Sequence, residues 1–302
     1  MNDLSNTLVS AATPVIVPDL SAMTMMVRWA VSVPTLRKKD KKATREAEIA
    51  AGAKRGKANL TKALLGDCAE FKTLNDYIGN ARNQHYRLTL PWYDNGHRIV
   101  TTHAMMGHRQ EMGGHKIKIE ELFEEFLQVY DAAKHAEQDG MGAFWVDAEY
   151  PSVEKLRSKF KVHLEYCGLP KNDFRSDLVS EVAQEVIDDH IQGDQERTAN
   201  AMNHLWTQLY EQLTRFSKQL EVDETGKGNK LYTSTVTRNL ELCDMLATFN
   251  VTGDRQMEEN RQRLERVFSG LTLEGVKNSP SERATKKQEL DAAIAALPSL
   301  DM

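Results

Sequence analysis

The sequence predicts a mainly α protein: a long helical hairpin or coiled-coil-like bundle, with a small β-hairpin or two-to-three-stranded β patch. Three observations predict it. The 302 residues hold only 17 Gly and 8 Pro and are rich in Leu, Glu, Gln, Lys and Ala, a composition that favours helix. Apolar residues recur at three- and four-residue steps over long stretches, the signature of amphipathic helices. One tripeptide, Asp94-Asn95-Gly96, sits between alternating apolar residues, the pattern of a tight turn between two strands because Asn-Gly tolerates positive φ.

Taken in order, residues 1–20 carry Pro14 and Pro18 among small and β-branched residues and read as an extended or flexible arm. Residues 21–33 are apolar and fit a short strand or a docking segment; a run this short does not reveal its period. Residues 40–86 read as a long helix or a helical pair, with an apolar stripe through Leu60, Leu64, Cys68, Phe71, Leu74 and Ile78. A β-hairpin or Ω-loop follows around Asp94-Asn95-Gly96, and Pro91 places it at a sheet edge. Ile117 to about Gln138 is an amphipathic helix through Ile119, Leu122, Phe123, Phe126, Val129, Tyr130 and Ala133, ended by Gly140 and Gly142. Ser152 caps a short helix to Phe160, and Lys161–Tyr166 alternates like a strand.

Asp177 caps the longest helical stretch, from Leu178 to about Leu220. A helix of about 40 residues spans roughly 60 Å, which points to a hairpin or a broken helix. Its second half carries Met202, Leu205, Trp206, Leu209, Leu213, Phe216 and Leu220 at heptad-like spacing. Leu231–Phe249 is its return partner, facing it through Val236, Leu240, Cys243 and Leu246. Thr252 or Asp254 caps a helix to Phe268, and Ser279-Pro280 opens a last, loosely attached one. The chain divides into an N-terminal arm (1–36), a basic helix, hairpin and amphipathic helix (37–175), the long helical hairpin (176–270) and the C-terminal helix (271–302).

Several function classes are excluded at this level. Cys68, Cys167 and Cys243 are three, sparse, and without a CxxC pair, unlike a disulfide framework or a thiolate zinc site. No run of 18 apolar residues occurs and the first residues lack the charged-then-apolar pattern of a secretory leader, so a cytoplasmic protein without a membrane span is expected. The net charge of −5 is uneven. Ten cations (Arg37, Lys38, Lys39, Lys41, Lys42, Arg45, Lys54, Arg55, Lys57, Lys62) face three acids (Asp40, Glu46, Glu48), giving +7 in one segment and −12 elsewhere.

Three blocks carry a resemblance: Leu90-Pro-Trp-Tyr-Asp-Asn-Gly-His-Arg-Ile99, Asp147-Ala-Glu-Tyr-Pro-Ser-Val-Glu-Lys-Leu-Arg-Ser-Lys-Phe160 and Asp173-Phe-Arg-Ser-Asp-Leu178. Leu205-Trp-Thr-Gln-Leu-Tyr210 and the stretch from Leu231 to Thr252 follow in order. Together, over roughly residues 55–270, they resemble the phage and bacterial domain of unknown function thirty-one-fifty. The resemblance implies a helical fold with no assigned reaction. It also implies an assembly partner, since members occur beside ring-forming ATPases. The arm before Thr35 and the basic run depart from that pattern.

The basic segment is the leading functional candidate. Cations clustered on a helix neutralise phosphates and release counterions; the competing readings are a solvated helix face, an acidic protein or a membrane surface. Arg37, Lys38, Lys39, Lys41, Lys42, Arg45, Lys54, Arg55 and Lys57 are the expected phosphate contacts. Trp92 and Tyr93 are candidates to stack on unpaired bases, against a Trp that plugs the core beneath a turn. His85, His97, His103, His108 and His115 crowd 31 residues, but without HExxH or HxH spacing, and Gly107, Gly113 and Gly114 read as a mobile loop rather than a metal cage. Asp177 reads as an N-cap and Arg175 as pairing with a neighbour, which accounts for Asp173, Arg175 and Asp177 without a catalytic carboxylate pair. Glu224–Asn229 lacks the GxxxxGK[ST] of a phosphate loop. The heptad-like stripe suits self-association or intramolecular packing. The expectation is a non-enzymatic, oligomeric, phage-type nucleic-acid-binding protein, single-stranded DNA favoured, that supports annealing, replication or packaging and needs no cofactor or metal. The alternatives are a helical adaptor with a ring ATPase or other protein partner and, more weakly, a metal enzyme using the 97–115 histidines.

Overall fold

A computed structural model describes residues 23–169, 180–222, 229–250, 255–269, 271, 275–276 and 279–297. The chain divides into two compact units, one formed by residues 25–168 and the other by the remainder. The structure is mainly helical, with a small antiparallel β component.

The first unit runs β1 (Thr24–Ser32), β2 (Arg37–Lys39), α1 (Lys41–Ala50), β3 (Thr61–Ala63), α2 (Ala69–Arg87), β4 (Leu90–Pro91), β5 (Arg98–Thr101), α3 (Thr102–Met141), α4 (Val153–Lys159) and β6 (Lys161–Gly168). A four-stranded sheet has the order β4-β5-β1-β6, and β2 pairs with β3 as a separate ribbon. Of the apolar run 21–33, residues 24–32 thus form an inner strand. β1 lies antiparallel to β6 with Val27 opposite Tyr166 and Trp29 opposite Leu164. Helices α2 and α3 pack together, and the core is built from Leu74, Ile78 and Ala81 of α2 against Ile119, Phe123, Phe126 and Tyr130 of α3. Phe126 sits 5.0 Å from Phe71 and 5.7 Å from Tyr130, ring centre to ring centre, separations at which tilted aromatic rings attract.

Two expectations change here. Of the two forms expected for 40–86, the helical pair is found, interrupted by β3, but Leu60 is exposed rather than part of the stripe. The histidine-rich stretch is not a loop: Thr101 caps α3 by accepting from the Ala104 amide, and His108 and Met112 are buried. A Cβ at Gly107, Gly113 or Gly114 would meet nothing within 4 Å, so these glycines do not mark close packing. Burial of the opposite face outweighs their propensity cost of about 1 kcal/mol each. The hairpin at Asp94-Asn95-Gly96 forms as expected, with Gly96 at φ +88°.

The second unit contains α5 (Ser180–Leu220), α6 (Thr233–Phe249), α7 (Arg255–Phe268) and α8 (Pro280–Ala295). Its core takes Leu205, Leu209, Leu213 and Phe216 from α5, as the heptad-like spacing predicts. Among the residues of α5 whose side chains are described, none before Ala201 is buried. Helix α6 keeps Cys243 and Leu246 of the expected stripe inward and Val236 half-buried, but not Leu240. Leu242, Cys243, Met245, Leu246 and Phe249 are buried, while Leu240 is exposed. The hairpin does not stand alone, because α7 packs on α6 and α8 packs on both α5 and α7. Nor is α8 loosely attached. Ser279 caps it, and its Arg283, 5 % exposed, donates to the carbonyls of Val276 and Asn229 at 2.9 and 2.7 Å. Asp173, Arg175, Asp177, Thr252, Asp254, residues 1–22 and most of the 223–229 turn lie outside the described residues.

Candidate functional site

The nine expected phosphate contacts lie on one excursion from the first unit, residues 37–63. They do not share a helix. Arg37, Lys38 and Lys39 are on β2, Lys41, Lys42 and Arg45 on α1, and Lys54, Arg55 and Lys57 on the loop that leads to β3. All nine are exposed. The helix begins late because Asp40 is its N-cap, accepting from the Ala43 amide at 2.9 Å; the cations before it are extended and pair with β3, Lys38 opposite Lys62 and Lys39 opposite Thr61.

Two of the three acids of the segment are consumed in building this module. Glu48 is 2 % exposed. One of its carboxylate oxygens accepts from the backbone amides of Gly56, Lys57 and Ala58 at 2.5, 2.9 and 3.3 Å, and the other from Arg45. Three amides converging on one anion form a nest, here turned inward on the protein's own carboxylate. Burial pushes the Glu48 carboxyl up, but the amides of Ala58, Gly56 and Lys57 and the Arg45 guanidinium more than offset it, and the net shift is downward. The loop therefore wraps Glu48 and carries Lys54, Arg55 and Lys57 outward. Asp40, besides capping α1, lies 3.6 Å from Lys62 Nζ; the amide bond to Ala43 is the largest of the effects that hold its carboxyl below the usual range.

Lys62 is the one cation of the ten that turns in. Its side chain is largely buried, pairs with Glu149 at 2.7 Å, and donates to the Phe144 carbonyl at 2.6 Å. Among the described residues, Arg37, Lys38, Lys39, Lys41, Lys42, Lys54, Arg55 and Lys57 take part in no ion pair, and Arg45 pairs only with Glu48. The module thus presents cations whose charge the fold leaves uncompensated.

Trp92 and Tyr93 do not join it. Trp92 is 5 % exposed and fills the core beneath the β4–β5 turn, and Tyr93 is half-buried beside it. A base cannot stack on a buried indole, so Trp92 is withdrawn from the interface. The histidines separate too. His97 bonds Asn95, His115 bonds Tyr77, and His103 is exposed. His85 and His108 instead form a buried chain, His85 Nδ1 to His108 Nε2 at 3.0 Å and His108 Nδ1 to the Tyr166 hydroxyl at 2.6 Å. Desolvation keeps both rings neutral, lowering His85 to about 3 and His108 to about 4, with His108 and then Arg98 adding to the effect on His85. Among the described residues no group of three or more His, Cys, Asp or Glu side chains is placed to hold a metal. The sequence held a sign of this burial, since Leu74, Ile78, Ala81 and His85 step along one helical face.

Among the described residues, no helix is long and apolar enough to cross a membrane. Comparison with protein-family models, with curated proteins and with solved structures finds no match to this chain, so the family resemblance noted above gains no support from it.

Proposed function

We propose that this chain binds nucleic acid through the phosphate backbone, using the basic module of residues 37–57, and that it does so without catalysis. The observation that supports the reading is the accounting of charge inside the module. Asp40 and Glu48 are engaged by the scaffold itself, while eight exposed Lys and Arg lack any carboxylate partner among the described residues. A merely solvated helix needs no nest around a buried carboxylate to hold three more cations outward. The strand, helix and loop present charge from three short elements on one ordered scaffold, which suits a flexible polyanion.

The test is binding of a labelled oligonucleotide to the full chain across salt concentrations, read by fluorescence anisotropy. Contact with about six phosphates predicts a slope of log K against log salt near −4 on a single strand. Replacing Lys38, Lys39, Lys41 and Lys42 by Glu lowers affinity about 100-fold or more at low salt and flattens the slope by roughly three. All four side chains are exposed, so the fold is expected to survive, which circular dichroism checks. An unchanged affinity and slope in that variant would remove the reading and leave the helical adaptor as the better one.

A further inference from the structure

The interface needs a planar apolar group if its ligand is single-stranded, and the residue the sequence offered for that role, Trp92, is buried. The structure carries another. Helix α3 ends at Gly142, whose φ of +47° is one that side chains rarely adopt, and the chain turns into a strap, residues 142–149, that runs beside the basic module. Within it, adjacent aromatic residues face opposite ways. Trp145 is half-buried, its ring 4.5 Å from that of Tyr150. Phe144, one residue earlier, is 51 % exposed.

Both anchors of this strap lead to the module. The Phe144 carbonyl accepts from Lys62 Nζ at 2.6 Å, and Lys62 also pairs with Glu149 at the far end of the strap. The Tyr150 hydroxyl donates to the carbonyl of Leu64, just beyond β3, at 2.8 Å. Lys62 is the cross-strand partner of Lys38, and directly opposed residues of an antiparallel pair project from the same face with Cβ atoms about 5 Å apart. The exposed Lys38 ammonium and the exposed Phe144 ring therefore flank one buried lysine. A cation for a phosphate and a ring for a base, both tied to one lysine, is the combination that single-strand binders use.

We propose that Phe144 is the base-stacking residue of this interface, and that the ligand is accordingly single-stranded nucleic acid. The proposal rests on the phosphate-binding reading of residues 37–57. The face does not suit a bilayer: α1 carries Ile49 as its only large apolar side chain, whereas an interfacial helix needs a continuous apolar face. Lys62 has a separate part, as a positioning residue: it is largely buried, and it holds Phe144 in place rather than meeting phosphate.

The experiment compares two labelled strands of equal length, an oligo-dT and a fully abasic strand, which share phosphates but not bases. Binding to the full chain and to Phe144→Ala is read by anisotropy. The native chain is expected to prefer oligo-dT by about ten-fold, the scale of one stacked base, and Phe144→Ala to bind both strands with the affinity the native chain has for the abasic one. Phe144→Trp is expected to restore the preference and to show indole quenching on oligo-dT alone. Equal binding of the two strands by the native chain overturns the proposal and leaves phosphate binding intact, as does a preference that survives Phe144→Ala. Salt-insensitive or absent binding to both strands overturns the phosphate reading and this one with it. Association with vesicles of anionic lipid that Phe144→Ala abolishes, alongside equal binding of the two strands, assigns the ring to a membrane surface and overturns the proposal.

Discussion

The buried pair His85 and His108 makes the first unit sensitive to mild acid. In the fold both rings are neutral, held there first by desolvation, and they titrate only at about 3 and about 4. In the unfolded chain each has a pKa of about 6.5. Below that value the unfolded state binds more protons than the folded one, so stability falls as pH falls and is recovered as it rises. At pH 5 an unfolded imidazole is almost fully protonated while the folded pair is not. Relative to pH 7 each ring then costs about 2 kcal/mol, and the pair roughly 3 to 4. Carboxylates contribute pH dependence of their own, but it cancels in a comparison with a variant lacking both rings. The assay is urea unfolding at pH 7 and pH 5 for the native chain and for His85→Leu with His108→Leu. The unit is followed by hydrogen exchange of protected amides in α2 and α3, because the chain has two compact units and one global transition is not assumed. The native chain is expected to lose about 3 kcal/mol more than the double variant. A difference below about 1 kcal/mol would mean that the rings are solvated or charged in the fold, and would refute the account of the His85–His108–Tyr166 chain.

Two further outcomes test the scaffold. Replacing Glu48 by Ala removes the anion at the centre of the 54–58 loop; exchange at the Gly56, Lys57 and Ala58 amides is expected to rise about ten-fold or more, with a parallel loss of oligonucleotide affinity, and unchanged exchange would show that the loop holds its shape without the nest. On α6, Leu246→Ala is expected to cost about 2–5 kcal/mol because the side chain is fully buried. Leu240→Ala is expected to stay within about 0.5 kcal/mol. Comparable losses in urea unfolding would mean that Leu240 is covered as the spacing alone suggests.

The parts of the fold that were legible in the sequence are those where one physical effect dominates. The second half of α5 and the Ile119–Tyr130 stripe of α3 bury one face over several turns, and three- and four-residue spacing reports that directly. Turn chemistry did the same for Asp94-Asn95-Gly96, as side-chain capping did for Ser152 and Ser279. Where effects compete, the reading failed. Gly107, Gly113 and Gly114 weaken a helix locally, yet burial of His108 and Met112 on its other face sets the outcome. On α6 the expected stripe holds at Cys243 and Leu246 and fails at Leu240, because the neighbouring helices cover Leu242 and Met245 instead. The basic run looked helical because Lys, Arg and Ala favour helix, whereas pairing with β3 claims Arg37, Lys38 and Lys39 before the Asp40 cap.

The candidate site divides along the same line. Its charge was visible because charge needs no partner to be counted. Its form was not, because that depends on contacts between distant residues: Lys62 with Glu149, the Tyr150 hydroxyl with the Leu64 carbonyl, the Phe144 carbonyl with Lys62. No local pattern separates Phe144 from Trp145, yet one ring faces solvent and the other packs on Tyr150. The same holds for the cations. Lys57 and Lys62 are equivalent in composition, but one lies on the loop that wraps Glu48 and the other is buried under a strap. An electrostatic count over residues 37–62 therefore overstates the interface by the one lysine that holds it together, and a substitution at Lys62 should be read as a change of shape before it is read as a loss of charge.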